Sequence, residues 1–214
     1  MPLPRDNHFR QFLLFAFALI VPCFALWTLA AGPLVMPAVG LADIILGGWF
    51  PEVVDKLVYR GMDAVLLTQF GELDGRAVPA DQSDYQLAFV INPGILSYSL
   101  PFYATLHFAT QRDAYLGDFL VGVFVLYPLI LLGLLSLCLK ELMINLGALF
   151  MEQNALVPNG TFIALFYQLN VLMVPTVAPI LLWAWQSRDT ALVRGLLKMA
   201  PASKPAPGSG PSST

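Results

Sequence analysis

The chain has 214 residues, 57% of them hydrophobic and 12% charged, with a mean hydropathy of +0.71. A soluble domain carries about twice that charged fraction, and a chain of this length makes one compact body. The net charge of −3, from 11 basic and 14 acidic residues, excludes the broad basic field that draws nucleic acid.

Residues 1–11 carry Arg5 and Arg10 and are followed by an uncharged stretch from Phe12 to Ala42. That stretch exceeds the roughly 7–15 residues of a secretory apolar region. It predicts an uncleaved signal anchor, with a membrane span over residues 12–31 that ends at Gly32-Pro33; cleavage near Ala30-Ala31-Gly32 is the alternative. Crossing about 30 Å of hydrocarbon takes roughly 20 apolar residues, and three later stretches qualify, at 93–111, 119–139 and 161–185.

Residues 32–92 form a large acidic external loop. Its first part, Leu34 to Phe50, is apolar but broken by Pro37, Gly40, Asp43, Gly47 and Gly48, which predicts a segment in the outer interface with Trp49 at interfacial depth. Farther on, Ala64–Phe70 and Tyr85–Ile91 are rich in β-branched and aromatic residues, and the second alternates. Together they predict a β-hairpin, with Gly71–Asp84 as its turn-rich linker. A lone hairpin is barely stable, so it needs the bundle, the interfacial segment or a partner to rest on.

Asn92-Pro93 marks the start of the second span, because proline is tolerated in a first helical turn. That span contains Pro101, and Pro22, Pro128, Pro175 and Pro179 lie in the others. Each proline frees a carbonyl that lipid cannot satisfy, so the spans must pack as a bundle. Ser99, Tyr103 and His107 recur every four residues and form one polar stripe, extended by Gln111, that must face protein or water. His107 is a candidate proton carrier or ligand-binding group; about one turn from the interface, it reads first as a hydrogen-bonding partner for a neighbouring helix.

In residues 140–160, Leu142, Met143, Leu146, Leu149 and Phe150 continue from Leu139 at helical spacing, opposite Lys140, Glu141, Asn145 and Glu152. This predicts an external amphipathic helix lying on the membrane surface. Asn159-Gly160-Thr161 fits the N-glycosylation acceptor pattern. In the last span Tyr167, Gln168 and Asn170 cluster ahead of Pro175 and Pro179, either to recognise another transmembrane segment or to satisfy one another and the carbonyls freed by proline. Residues 186–214 are a cytoplasmic tail, disordered from Pro201 onward by composition.

Orientation follows from the basic residues. A cytoplasmic start puts Arg5, Arg10, Arg112, Arg188, Arg194, Lys198 and Lys204 inside and Lys56, Arg60, Arg76 and Lys140 outside. Both termini are then cytoplasmic, and ten of the fourteen acidic residues lie outside. The fold expected is a mainly α membrane protein, a four-helix transmembrane bundle with a small external β-hairpin and an interfacial amphipathic helix.

Little chemistry is visible. Two histidines, His8 and His107, cannot supply a dihaem cytochrome with two axial ligands per haem. No metal-ligand spacing is present and no cofactor is expected. Cys23 and Cys138 lie in apolar runs as small hydrophobes. An enzyme at the outer face would need Asp43, Glu141 or Glu152 as an acid or base, and their spacing pairs none of them.

Two stretches carry a resemblance: Asn92-Pro93 through Tyr98, Leu100 and Pro101, and Tyr167-Gln168 with Pro175 and Pro179. At these residues the chain resembles the exosortase H-associated membrane proteins, a bacterial family that accompanies a membrane-embedded protein-sorting transpeptidase. Ser97 and Ser99 stand where the resemblance leads one to expect glycines. The resemblance implies a non-catalytic accessory protein that assists sorting or processing of exported proteins with C-terminal membrane anchors. Its partners would be membrane lipid and another membrane protein, such as an exosortase-type transpeptidase, with no nucleic acid. The partner-binding candidates are Asn92, Pro93, Tyr98, Pro101, Tyr167, Gln168, Asn170, Pro175 and Pro179. The alternative is a small transport or ligand-binding subunit with a polar path along Ser99, Tyr103 and His107.

Overall fold

The computed structural model describes residues 5–73, 75–111, 115–152, 156–190 and 193–194. The tail from Pro201, together with Arg112, Lys198 and Lys204, lies outside the described residues.

Helix α1 runs from Arg5 to Trp49, roughly 67 Å at 1.5 Å per residue and more than twice a hydrocarbon core. The expected stop at Gly32-Pro33 is absent, and the segment expected to lie apart at Leu34–Phe50 is the same helix continued. Pro22, Pro33 and Pro37 sit within it, each removing one backbone hydrogen bond. Beyond Pro33 the loss is offset by burial along one face: Val35, Ala38, Val39, Ala42 and Leu46 recur at helical spacing and are no more than 2% exposed.

A four-stranded antiparallel sheet covers that face, made of β1 (Val54–Arg60), β2 (Asp63–Leu73), β3 (Arg76–Pro79) and β4 (Gln86–Ile91). Strand β2 is central. Its first half pairs with β1 on one edge and with β4 on the other, and its end pairs with β3. The expected pairing of Ala64–Phe70 with Tyr85–Ile91 is present, Leu66 opposite Phe89 and Ala64 opposite Ile91. The two-stranded hairpin is corrected to four strands, because β1 precedes it and the stretch read as a linker holds β3.

Inward-facing Val54, Leu57, Ala64, Leu66 and Ile91 are buried with the α1 face. Asp43, the one charge on this part of α1, accepts a hydrogen bond from the Leu57 backbone N–H at 2.6 Å. A carboxylate acceptor makes this one of the stronger bonds joining helix and sheet.

The chain then turns at Asn92-Pro93 into α2 (Gly94–Ser97) and α3 (Ser99–Ala109), one broken helix with Tyr98 at the break. Pro101 has no N–H to offer the Ser97 carbonyl, which is where the helix is interrupted. Helix α4 extends from Tyr115 to Leu146. It absorbs most of the segment expected as a separate amphipathic helix, which is corrected to a continuation of the span: Leu139, Leu142 and Leu146 stay buried against protein. Gly147, at φ +54°, ends it and leads to the short α5 (Ala148–Met151).

The last span is continuous over Gly160–Gln186 as α6 (Gly160–Tyr167), a π-helical stretch (Gln168–Met173) and α7 (Val174–Gln186). The wide turn sits just before Pro175 and Pro179, where the backbone must re-route its hydrogen bonds. Asn159 caps α6, its Oδ1 accepting from the Phe162 N–H at 2.7 Å, so the glycosylation-like triplet has a structural use.

The broken helix approaches α4 very closely. Gly122 and Gly133 lie three turns apart on α4 and receive Tyr103 and Leu96; a Cβ on them would fall 2.0 Å from Tyr103 Oη and 2.6 Å from Leu96 Cδ2. Small residues admit such contact between membrane helices.

Among the described residues, three helices, α1, α4 and α6–α7, are long and apolar enough to cross a membrane. The chain is mainly helical with a small antiparallel sheet. Gly94–Ala109 provides only about 24 Å of helix at 1.5 Å per residue. Both cysteines are free.

Candidate functional site

At the end far from the sheet, the polar stripe of α3 is buried between α4 and α7. Tyr103 is fully buried, with its hydroxyl 2.6 Å from Gln186 Oε1, 3.2 Å from the Asp118 carbonyl and 3.3 Å from His107 Nδ1. His107 Nε2 donates to the Tyr115 carbonyl at 2.7 Å, and Gln186 Nε2 to that of Asp118 at 2.9 Å. Ser99 Oγ donates to the Leu96 carbonyl at 2.9 Å. Trp183 Nε1 donates to Thr110 Oγ1 at 2.7 Å while its ring stacks on Phe12, 5.2 Å between centroids. These bonds fasten α1, α3, α4 and α7 together.

At the sheet-bearing end the surroundings open. A cleft of about 570 Å³ lies between α1, the β1–β2 turn and the start of α2. Helix α1 contributes Trp27, Ala31 and Val35; the turn contributes Tyr59, Met62 and Asp63; the chain after β4 contributes Asn92, Pro93, Gly94, Ile95 and Tyr98. The turn is a two-residue connection in which Gly61 takes φ +65°, a conformation that such tight hairpins demand of their first position. Asn92 Oδ1 accepts from the Gly94 N–H at 2.8 Å, fixing the chain as it enters the helix. Among the described residues of the lining, Asp63 is the one that carries a charge.

Tyr98 joins the two sequence motifs: its hydroxyl is 2.9 Å from Thr176 Oγ1, next to Pro175 on α7. Below it, Leu96, Ser99, Val174 and Pro175 border a cavity of about 10 Å³, room for about one water. Pro101, Pro175 and Pro179 are buried in packing. Asn170 Nδ2 donates to the Phe166 carbonyl at 2.9 Å, satisfying the backbone at the π-turn. Tyr167 lies under Lys140, 5.2 Å from ammonium to ring centroid, and Lys140 is paired with Glu141 at 2.6 Å. Gln168, the next residue, is exposed. Thus Asn92, Pro93 and Tyr98 share the cleft, while Tyr167, Gln168 and Asn170 surround the π-turn.

Residues 6–190 match the family model of the exosortase H-associated membrane proteins. The chain belongs to that family. No curated protein and no solved structure matches it significantly.

In this exosortase H-associated protein, the departures at Ser97 and Ser99 have uses. Ser97 Oγ accepts from Trp27 Nε1 at 3.2 Å and donates to the Gly94 carbonyl at 3.3 Å, so it anchors a cleft wall to the cleft floor. Trp27, Tyr59, Met62 and Asp63 were not singled out from sequence. The usable signal was the Gly61 turn, which sets Tyr59 and Asp63 on either side of a tight connection. Among the described residues, no three His, Cys, Asp or Glu gather where they could hold a metal ion.

Proposed function

We propose that this protein is a non-catalytic accessory subunit of the bacterial inner membrane that holds an exosortase-type transpeptidase, or a membrane protein acting with it, and so assists sorting or processing of exported proteins with C-terminal membrane anchors. The observation that carries this reading is the cleft: it is open, and Asn92, Pro93 and Tyr98, which carry the family resemblance, line it. The far-end stripe supports the same conclusion by contrast, since Tyr103 and His107 are engaged in internal bonds and Ser99 borders only a water-sized cavity. That weighs against a transport path.

In this reading the chain crosses the membrane four times with both termini cytoplasmic. The broken helix Gly94–Ala109 is the fourth span: it runs beside α4 from Gly133 to Gly122 and packs against both. Its shortness is tolerated because neighbouring helices enclose it. The distribution of Lys and Arg then sets the sheet-bearing end outside.

Ile95 and Met62 are 39% and 69% exposed at the cleft, and photo-crosslinkers there test the proposal in cells that also carry the sorting transpeptidase. A specific adduct with that enzyme, or with a protein that co-purifies with it, is expected. A crosslinker at Phe17, 71% exposed on α1, should give lipid adducts. No protein adduct at either cleft position would overturn the proposal.

A further inference from the structure

We infer that the cleft receives a cation: the ammonium or guanidinium of a lysine or arginine that flanks a transmembrane segment of the partner on the sheet-bearing side. This rests on the partner-holding role proposed above and gives that partner a chemistry.

Asp63 is the single charge in the lining. It is half-buried, and among the described residues it has no ion pair. Arg60 stands in register with it across the Gly61 turn yet forms no such pair. Three aromatic residues, Trp27, Tyr59 and Tyr98, share the lining with it. The polar atoms of two are already engaged, Trp27 Nε1 with Ser97 and Tyr98 Oη with Thr176, so these side chains are held in place as walls. Aromatic surfaces beside a carboxylate attract an ammonium or guanidinium through both charge and ring quadrupole.

Other occupants fit less well. A phosphate would meet Asp63 with no Lys, Arg or His in the lining to answer it. The N–H of Gly94, a natural anion donor at a helix start, is taken by Asn92. A wholly apolar segment would desolvate the carboxylate without compensation. A basic side chain satisfies the charge and lays its methylenes along Val35, Met62 and Ile95. Such a residue on the outer flank of a span is uncommon under the positive-inside rule, which makes it a discriminating feature.

The test uses the full chain with a photo-crosslinker at Ile95 in phosphatidylcholine vesicles, offered polyleucine transmembrane peptides that carry two lysines or two glutamines at the sheet-side flank. The lysine peptide should give about five- to tenfold more adduct than the glutamine peptide. Asp63→Asn should bring it down to the glutamine level, and Arg60→Gln should leave the preference in place. Equal yields with the wild type, or a preference that survives Asp63→Asn, would overturn the inference. Suppression of lysine-peptide adducts when phosphatidylethanolamine replaces half the lipid would also overturn it, since the amine would then come from a headgroup. Capture of a partner in cells without this charge preference removes the cation alone; the preference without any captured partner removes the accessory reading.

Discussion

Tyr98 and Tyr103 belong to the same short broken helix, and their surroundings are opposite in kind. Around Tyr103 the side chains of His107 and Gln186 and the carbonyls of Tyr115 and Asp118 interlock. Around Tyr98 there is an open cleft whose carboxylate, Asp63, has no ion pair among the described residues. Polar groups inside a membrane must be matched, so the matched set reads as structure and the unmatched set as a binding surface. From sequence, the stretch around Tyr98 supplied the leading partner-binding candidates and the stripe of Ser99, Tyr103 and His107 the alternative.

The comparison breaks if changes at the far end disturb binding, or changes at the cleft disturb folding. The largest effect is expected from Gly122→Leu, which drives a side chain onto Tyr103; it should cost ~3 kcal/mol, read as a lower midpoint of unfolding in detergent. Unchanged stability would mean that α3 and α4 do not meet closely. His107→Ala leaves the Tyr115 carbonyl without its donor and should cost about 2 kcal/mol, while crosslinking at Ile95 per folded molecule stays the same. Loss of crosslinking at full stability would move function to the histidine. Asp43→Leu deprives the Leu57 amide of its acceptor and should cost about 1–2 kcal/mol, with faster hydrogen exchange at Leu57 and partial recovery in Asp43→Asn. The smallest stability change, within about 0.5 kcal/mol, belongs to Asp63→Asn, even though that substitution is the one expected to abolish the lysine preference.

What could be read from sequence depended on whether lipid or protein covers a face. Apolar length alone located α1, α4 and the last span, and β-branched alternation located the pairing of β2 with β4. Strand β1 escaped because its register shifts between Val54 and Lys56, which spoils the alternation, and because Asp55, Lys56 and Arg60 make it look like loop. The stop placed at Gly32-Pro33 followed the usual behaviour of proline; it failed because the cover for Val35 through Leu46 is a sheet formed by residues that come later in the chain. Lys140 and Glu141 looked like the end of a span, yet they pair with each other and let α4 continue. The candidate residues Asn92, Pro93 and Tyr98 were legible as a motif. Their cleft partners Trp27, Tyr59 and Asp63 were not, since only the folded sheet brings a distant turn against α1.

Helix α1 also behaves as a calliper. Phe12 is fixed to Trp183 at one end of the bundle, and Ala31 lies in the cleft wall at the other. The intervening helix measures about 29 Å, which equals the hydrocarbon thickness of a bilayer to within an ångström or so. The sheet is bonded to the same helix through Asp43, which ties the cleft to the helix that carries the Phe12 contact. For the docking segment proposed above, the place where its own apolar stretch ends then becomes a criterion of fit beside its side-chain chemistry.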